Sequence, residues 1–353
     1  MRKLKDLASL ASRRGLDAIF ISQASNVRYF TGIAETQLLL VVPRRDEPFV
    51  LTSSLGKADI GSCGVEICSV GPDGDIRAKS FYAAAKKKLG SCRRIGFEAG
   101  MPHDRFLKMQ RIVRAKFKDI SSQIAAMRAV KSEDEVAKIR RALEIAEKGM
   151  KVARDFIRDG ATEREVAAAA EGAMRLSGAD WFSFSSIVAS GPNPARPHFI
   201  PSDRKIGRSD LVVVDIGAVY DGYCSDITRT FCARPSPKQK RLYNIVLRAQ
   251  AAAEAKARPG VAAAAVDAAA RNAIKKAGYG KEFVHATGHG VGLDIHEEPS
   301  ISPKSKGVLK PGMVFTIEPG IYTKDMGVRL EDMVLLTRKG KIILNRFPKE
   351  LEV

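Results

Sequence analysis

The 353-residue sequence lacks several features that would place it in a specialised class of protein. No apolar run approaches the roughly 18 residues of a transmembrane helix, and residues 1–6 carry four charges instead of the apolar core of a secretory signal. Only five cysteines are present, an odd number without the spacing of a metal site, which is typical of a reducing compartment. We therefore expect a cytoplasmic protein without a membrane partner.

Acidic residues are scarce relative to basic ones. The chain has 40 acidic and 59 basic side chains, a net charge of +19, and residues 1–125 contain 22 basic against 12 acidic side chains. Basic runs at residues 85–88 and 111–118 could bind nucleic acid or an anionic surface nonspecifically. No aromatic stacking platform or nucleic-acid motif accompanies them, so we interpret them as solvated helix faces and expect no nucleic-acid partner.

Four acidic residues and one histidine nevertheless occur in segments that predict a shared site. They are Asp215, Asp226, His289, Glu318 and Glu331. Residues 211–217 form an apolar, β-branched run that ends in glycine, which predicts a buried strand carrying Asp215. A turn at residues 220–223 and an alternating segment at 224–231 predict the returning strand of a hairpin. The hairpin brings Asp226 close to Asp215.

The other three residues have equally specific surroundings. His289 lies between two glycines, which allow a close backbone approach, while Glu318 ends a predicted strand at residues 313–317 and Glu331 follows the segment 328–330. Each alone could be a turn, cap or loop residue, but the joint pattern favours metal binding. Carboxylates with one imidazole suit Mn²⁺, Co²⁺, Fe²⁺ or Zn²⁺. Four carboxylates also balance the charge of two divalent ions, so we expect metal removal to lower both activity and thermal stability.

In this order, the segments resemble the pita-bread metallopeptidases, the family of methionine aminopeptidase, aminopeptidase P and prolidase. The resemblance runs from about residue 130 to the C-terminus. It implies an α+β catalytic domain at residues 126–353, with a curved antiparallel sheet and two flanking helix pairs. It also implies two divalent ions per subunit, with Mn²⁺ or Co²⁺ preferred and Zn²⁺ or Fe²⁺ possible. Asp215 would bind one ion, His289 and Glu318 the other, and Asp226 and Glu331 both.

The resemblance further implies substrate-facing and surrounding side chains that are not ligands. These are His198, His285, His296, Tyr322 and Arg329. The implied reaction is peptide hydrolysis by a metal-bridging hydroxide, with Glu318 as proton shuttle. His198 and His296 would donate hydrogen bonds around the tetrahedral intermediate. Residue 199 is phenylalanine where the smaller proline peptidases of the family usually have glycine, so we expect one pocket wall to differ.

Residues 1–125 predict a separate α/β domain. Helices and strands alternate, which favours a mixed sheet covered by helices. The predicted helices span residues 4–15, 81–89 and 104–116, and the predicted strands span 17–22, 37–42, 48–51 and 94–98. Residues 26–32 resemble the start of a creatinase-type N-terminal domain, which implies a homodimer because in relatives this domain packs across a dimer.

The catalytic half repeats itself at a spacing of 100 residues. Arg158, Gly160, Val166 and Gly178 match Arg258, Gly260, Val266 and Gly278. Alanine-rich composition could mimic such a repeat, but we interpret it as a duplication with the metal pair on its pseudo-twofold axis. Capping boxes at Ser132–Glu135 and Thr162–Glu165 predict the starts of two helices, the first reaching about Asp159.

The extra domain and the complete ligand set select among the functions in the family. A binding protein without catalysis, or a metal-free creatinase, would be expected to lack ligands, and methionine aminopeptidases lack the first domain. An X-Pro bond has no N–H for strand pairing and needs a dedicated pocket, so we expect a peptide substrate with proline after the scissile bond. We favour an Xaa-Pro dipeptidase, with Xaa-Pro aminopeptidase as the alternative. A dipeptidase needs a cation for the proline carboxylate, which Arg329 or Lys304 could supply, although Arg329 could equally support the acidic ligands.

Overall fold

The computed structural model describes residues 2–35, 37–60, 64–71, 76, 79–158 and 160–353. Asp159, the predicted end of a helix, and Cys63, one of the five cysteines, lie outside these ranges. The chain divides into two compact units, Met1–Met127 and Arg128–Val353. None of the helices in the described part of the chain combines the length and the apolar character that a membrane span requires.

The first unit contains a six-stranded mixed sheet with helices, as the alternating pattern predicts. Its strands are β1 (Ala18–Ile21), β2 (Leu39–Pro43), β3 (Phe49–Thr52), β4 (Glu66–Ser69), β5 (Arg94–Phe97) and β6 (Lys116–Asp119). Its helices are α1 (Arg2–Arg14), α2 (Ala24–Thr31), α3 (Ser54–Asp59), α4 (Phe81–Leu89), α5 (His103–Val113) and α6 (Ser121–Ala129), the last of which extends two residues into the second unit. The strand order is β4-β3-β2-β1-β5-β6. Strands β1 and β2 are buried along their whole length, which explains their unbroken apolar sequences.

One predicted element of this unit is wrong at its end. The helix predicted for residues 104–116 stops at Val113, because Arg114 adopts a left-handed conformation with φ of 55°. Lys116–Asp119 instead forms β6, a mostly exposed edge strand parallel to β5. Its alternation of charged and apolar residues resembles a solvated helix face, so composition alone did not separate the two structures.

The second unit contains two helix pairs that follow the predicted repeat. The first pair is α7 (Glu133–Phe156) and α8 (Glu163–Leu176), and the second is α9 (Pro237–Lys256) and α10 (Ala263–Lys276). Both predicted capping boxes are formed, at Ser132 and Thr162. Helices α8 and α10 start and end 100 residues apart. Gly160 and Gly260 have φ of 85° and 83°, values that favour glycine, so the glycine matches share a conformation as well as a spacing.

The strands of the second unit are all paired antiparallel. A three-stranded sheet has the order β12-β9-β8, and a five-stranded sheet has the order β14-β13-β15-β18-β19. The first comprises β8 (Ile187–Ser190), β9 (Val212–Ile216) and β12 (Ile227–Phe231). The second comprises β13 (Gly288–Gly290), β14 (Glu297–Ile301), β15 (Val314–Ile317), β18 (Asp332–Thr337) and β19 (Gly340–Ile343). Shorter pairs complete the unit: β7 (Trp181–Phe182), β10 (Ala218–Tyr220) and β11 (Tyr223–Cys224), then β16 (Gly320–Tyr322) and β17 (Gly327–Arg329). Each helix pair packs against its own apolar cluster. Asp215 and His289 lie within β9 and β13, and the other predicted ligands lie immediately before or after a strand.

Candidate metal centre

The predicted hairpin brings the two aspartates together. Strands β9 and β12 pair in the register Asp215↔Thr228 and Ile216↔Ile227, so Asp226 lies two residues from the partner of Asp215. The hairpin bends at Gly217, where a Cβ atom would lie 2.1 Å from the carbonyl oxygen of Ser225. Strand β9 ends at Ile216 and β12 begins at Ile227, so Asp215 and Asp226 lie at the same end of this strand pair.

The two glycines beside His289 have a steric cause. A Cβ atom at Gly288 would lie 2.0 Å from the backbone oxygen of Thr316, and one at Gly290 would lie 2.2 Å from that of Glu298. The strand carrying His289 is therefore packed between two neighbouring backbones. The imidazole Nδ1 lies 3.2 Å from the backbone oxygen of Gly290, so we assign a proton to Nδ1. Nε2 faces the acidic residues and is the atom that would bind a metal.

Glu318 and Glu331 lie opposite each other at the end of the next strand pair. Ile317 pairs with Asp332 across β15 and β18, which makes Glu318 and Glu331 the next facing positions. The backbone N–H of Glu331 donates to the oxygen of Thr228 at 3.1 Å, so this edge joins the sheet that carries the aspartates.

The five predicted ligands meet at this junction. His289 Nε2 lies 3.3 Å from Glu318 Oε1 and 3.5 Å from Asp226 Oδ2. One ligand atom each from Asp226, His289 and Glu331 lie within 4.8 Å of one another. Asp215 completes the cluster, since its charge acts on the pKa of both Asp226 and Glu331.

The chemistry of the cluster fits divalent cations. Three carboxylate oxygens are buried without a hydrogen-bond partner: Asp215 Oδ1, Asp226 Oδ1 and Glu331 Oε1. Burial, reinforced by neighbouring carboxylates, raises the pKa of both Asp226 and Glu331 well above the ordinary range. Such oxygens are costly to bury unless a cation compensates them. The residues therefore suit a metal centre better than a purely structural network.

Glu318 behaves differently from the other two buried carboxylates. Burial opposes its ionisation, but a hydrogen bond and positive charge from His289, together with the charge of Arg329, lower its pKa to about 2. The same pair raises the pKa of His289, although burial acts against the charged imidazole. Glu318 is thus an ionised carboxylate in the metal-free protein.

Arg329 connects the cluster to Tyr322 and His285. Its guanidinium donates to Asp215 Oδ2 at 2.6 Å and to the Tyr322 hydroxyl at 2.9 Å. Burial raises the pKa of Tyr322 to about 12, so its hydroxyl keeps a proton to donate to His285 Nε2, 2.8 Å away. The other ring nitrogen of His285 lies 2.7 Å from the backbone oxygen of Ala286, which completes the chain of hydrogen bonds.

A cavity of about 480 Å³ opens beside the cluster. His198, Phe199, His285 and His296 line it together with four of the five predicted ligands, Asp215, Asp226, His289 and Glu318. The rings of His289 and His296 meet edge to face, with centroids 4.2 Å apart. The Arg196 guanidinium lies 4.4 Å above the centroid of the Phe199 ring, so the unusual phenylalanine forms a firm part of the wall.

Among the described residues, Arg329 is the only arginine or lysine that lines this cavity. Its fork is already engaged by Asp215 and Tyr322, and the residue is buried. Lys304 is exposed and is not part of the lining. Of the two interpretations of Arg329, the geometry favours support of the acidic ligands.

Two supporting threonines escaped the sequence interpretation. The Thr228 hydroxyl donates to Glu331 Oε2 at 2.8 Å, and the Thr316 hydroxyl donates to Glu318 Oε1 at 3.2 Å. Thr316 stands two residues before Glu318, and Thr228 stands two residues after Asp226. Because side chains two apart share a face of a strand, that spacing is the signal that could have found them.

Comparisons with known proteins agree with this geometry. Residues 137–338 match the model of metallopeptidase family M24, and residues 3–130 match the creatinase/prolidase N-terminal domain. The Xaa-Pro dipeptidase of Pyrococcus horikoshii is 38% identical, with 99% of this chain and 98% of that protein aligned.

Solved structures extend the similarity to three dimensions. A prolidase structure from Pyrococcus horikoshii gives a TM-score of 0.92 at 36% identity, covering 99% of this chain and 100% of that one. An X-Pro aminopeptidase from Thermotoga maritima gives a TM-score of 0.88 at 34% identity, covering 99% of both chains. With a pita-bread domain preceded by a creatinase-type domain, this chain belongs to metallopeptidase family M24.

Proposed function

We propose that this protein is an Xaa-Pro dipeptidase that depends on two divalent metal ions. The observation that carries the proposal is the group of three buried, unpartnered carboxylate oxygens beside a cavity that three further histidines line, His198, His285 and His296. The similarity to dipeptidases over the whole chain supports the choice of substrate. A peptide with proline after the scissile bond is the expected substrate.

The five clustered residues are the proposed ligands. Asp215 would hold one ion, His289 and Glu318 the other, and Asp226 and Glu331 would contact both. Four carboxylates with a single imidazole favour Mn²⁺ or Co²⁺, while Zn²⁺ and Fe²⁺ remain compatible. Bound ions of this kind supply an activated water and polarise the scissile carbonyl.

The remaining cavity residues have complementary tasks. Glu318 lines the cavity and is our candidate for the proton shuttle, which would take a proton from the attacking water and return it to the leaving nitrogen. His198 and His296 line the cavity on the substrate side and would donate hydrogen bonds to the peptide. Arg329 and Tyr322 would hold Asp215 and His285 in place and leave the substrate to other groups.

Xaa-Pro aminopeptidase is the second candidate, and one observation favours it. The described cavity lining offers no uncommitted arginine or lysine to hold the carboxylate of a dipeptide. A longer peptide would place an amide there instead. The two activities therefore differ in the length of substrate that the cavity accepts.

Peptide length is the decisive test. Protein stripped of metal and reloaded with Mn²⁺, Co²⁺ or Zn²⁺ would be assayed on Ala-Pro, Ala-Pro-Ala and a longer Ala-Pro peptide. Ala-Ala serves as the substrate control, and the Asp226→Asn variant serves as the protein control. A dipeptidase turns over Ala-Pro with the highest kcat/KM, whereas selective turnover of the longer peptides would establish the aminopeptidase. An unchanged rate of hydrolysis after complete removal of the metal would refute the metal-dependent mechanism.

We further propose the assembly and the domain boundary. Residues 1–125 would form the creatinase-type domain and residues 126–353 the catalytic domain, and the two compact units support that division. A homodimer is expected from the presence of the first domain, and sedimentation equilibrium of the full chain would test it.

A further inference from the structure

The segment that carries His198, residues 191–201, forms few hydrogen bonds between its own residues. Residues 191–201 contain four prolines, which have no N–H to donate, and their only regular structure is one short 3₁₀ turn at Asn193–Ala195. His198 itself is exposed at the cavity. Contacts from outside the segment must therefore determine where this histidine lies.

Glu163 supplies most of these contacts. It is the first residue of α8, is fully buried, and accepts five hydrogen bonds. Its Oε1 accepts from Ser190 N at 2.6 Å, Ser190 Oγ at 2.8 Å and Asn193 Nδ2 at 2.8 Å. Its Oε2 accepts from Ser202 N at 3.1 Å and Ser202 Oγ at 2.6 Å. One carboxylate thus joins both ends of the segment.

The physical setting makes this carboxylate a rigid anchor. A negative charge is favoured at the N-terminus of a helix. A buried carboxylate is tolerated only when its oxygens are well hydrogen-bonded, so the five donors cannot move away without cost. The backbone N–H of Ser190 donates to Glu163 Oε1, and the backbone N–H of Ser202 donates to Glu163 Oε2.

The far side of the segment contacts the metal centre. A Cβ atom at Gly327 would lie 2.0 Å from the backbone oxygen of Pro194, so the segment packs directly on β17. Arg329, on the same strand, donates to the backbone oxygen of Pro197 at 3.4 Å. The residue next to Pro197 is His198. Glu163 holds the two ends of the segment, at Ser190 and Ser202, and β17 contacts its middle, at Pro194 and Pro197.

The second helix pair uses a buried carboxylate in the same way. Asp267 on α10 accepts from Thr287 N at 3.2 Å and Thr287 Oγ1 at 2.8 Å, within the segment that carries His285 and His289. In the 100-residue repeat, Asp267 lies one helical turn beyond the equivalent of Glu163, hence on the same helix face. Each half of the repeat therefore holds a histidine-bearing segment through one buried acid.

We propose that Glu163 is a positioning residue for the hydrolytic reaction, which fixes residues 190–202 so that His198 faces the substrate. The role of His198 rests on the proposed function, whereas the anchoring of the segment does not. Glu163 touches neither the predicted ligands nor the cavity. Its effect on the reaction passes through the segment.

Glu163→Gln is the informative variant. The two oxygens each accept one backbone N–H, so whichever way the glutamine amide turns, one N–H of Ser190 or Ser202 faces an NH₂ group. We expect kcat on an Xaa-Pro dipeptide to fall about 100-fold, the scale of a small misplacement of a positioned group, with unchanged metal content and little change in KM. Glu165→Gln is the matched control, because it makes the same charge change on the same helix while glutamine keeps the capping box.

A double-mutant cycle tests whether Glu163 acts through His198. In a His198→Ala background, Glu163→Gln should have no further effect on kcat. An unchanged kcat in Glu163→Gln, or the same loss with and without His198, would overturn the proposal. If Glu163→Gln does not fold, Ser202→Ala removes a single donor and should lower kcat in the same direction. Wild-type kcat in that variant would count against the anchor.

Amide hydrogen exchange gives a readout that does not depend on activity. In Glu163→Gln, exchange should rise in residues 191–202 and stay unchanged in α9 and α10. If the wild-type protein shows no Xaa-Pro turnover, the proposed function fails, yet raised exchange would still support the anchor. Unchanged exchange in residues 191–202 would refute the anchor whatever the activity.

Discussion

Metal removal should destabilise the catalytic unit, and more strongly as the pH rises. The perturbation is chelation of the ions from a site where four carboxylates lie close together, three of them with an unpartnered buried oxygen. Without ions, nothing compensates those oxygens except protons. The melting temperature of the metal-free protein should therefore be lower than that of the loaded protein.

The size of the effect follows from mass action and from the length of the unit. An ion present at 100 times its Kd stabilises the folded state by about 2.7 kcal/mol, so two ions contribute about 5 kcal/mol. The second unit spans Arg128–Val353. For a domain of that size each 1 kcal/mol moves Tm by about 2–4 °C, which gives a difference of about 10–20 °C.

The pH dependence has a definite sign. The pKa values of Asp226 and Glu331 are raised in the folded metal-free protein, so folding retains protons that the unfolded chain releases above its ordinary values of 3.8 and 4.5. The metal-free protein thus loses stability as the pH rises from those values toward the raised ones. Glu318, with a pKa of about 2, contributes stability that is fully present above its ordinary 4.5 and is lost only as the pH falls toward 2. Of these three carboxylates, only Asp226 and Glu331 therefore change the stability between pH 5 and 8.

Differential scanning calorimetry at pH 5 and pH 8, with chelator and with Mn²⁺, measures the melting temperatures of the metal-free and the loaded protein. The metal-free protein should melt lower at pH 8 than at pH 5, whereas the loaded protein should not, because ions displace protons more easily as the pH rises. Asp226→Asn removes one of the crowded charges. It should melt above the metal-free wild type at pH 8 and gain little from Mn²⁺. Identical melting curves with and without chelator would refute the reasoning.

Three further substitutions test separate parts of the structure. Arg329→Lys should lower the metal affinity about 10- to 100-fold in a metal titration, because lysine cannot reproduce the guanidinium geometry that holds Asp215. A selective rise in KM for dipeptides would instead indicate that Arg329 binds the proline carboxylate. Gly288→Ala would place a methyl group 2.0 Å from a neighbouring carbonyl oxygen and should cost about 1–3 kcal/mol in denaturant unfolding. Glu297→Gln would leave the buried Lys131 ammonium, 3.1 Å away, without its carboxylate. We expect the free energy of unfolding to fall by about 3–5 kcal/mol in the same assay. An unchanged Cm would count against that ion pair.

Local sequence patterns were sufficient for the elements that carry the predicted ligands. The apolar run before Asp215, the turn, and the alternation around Asp226 specify a hairpin within residues 211–231, so the proximity of the two aspartates could be anticipated. The glycines beside His289 likewise report a steric requirement of their own strand. Structure that is determined within a short segment could therefore be predicted from the sequence of that segment.

Features that depend on distant pairing were not accessible in that way. The orientation of Arg329 toward Asp215 depends on contacts between residues 114 positions apart, and the anchor from Glu163 to Ser202 spans 39. Nothing near Arg329 in the chain distinguishes a ligand support from a substrate-binding cation. The edge strand β6 failed for a related reason, since exposed charged residues carry little information about which secondary structure they adopt.

The electrostatics of the cluster divide the predicted ligands into two kinds. Asp215 is paired with Arg329, and Glu318 is paired with His289, so the chain itself compensates one carboxylate at each end of the site. Asp226 and Glu331 have raised pKa values, and no arginine or lysine lies within ion-pair distance of either in the described structure. Asp226 shares the His289 imidazole with Glu318, at 3.5 Å against 3.3 Å. Asp226 and Glu331 are the two residues that the family resemblance assigns to both ions. The fold thus stabilises the terminal carboxylates with its own charges and leaves the central pair to be compensated by whatever cations bind between them, which is why occupancy of the site, stability and pH should prove to be linked.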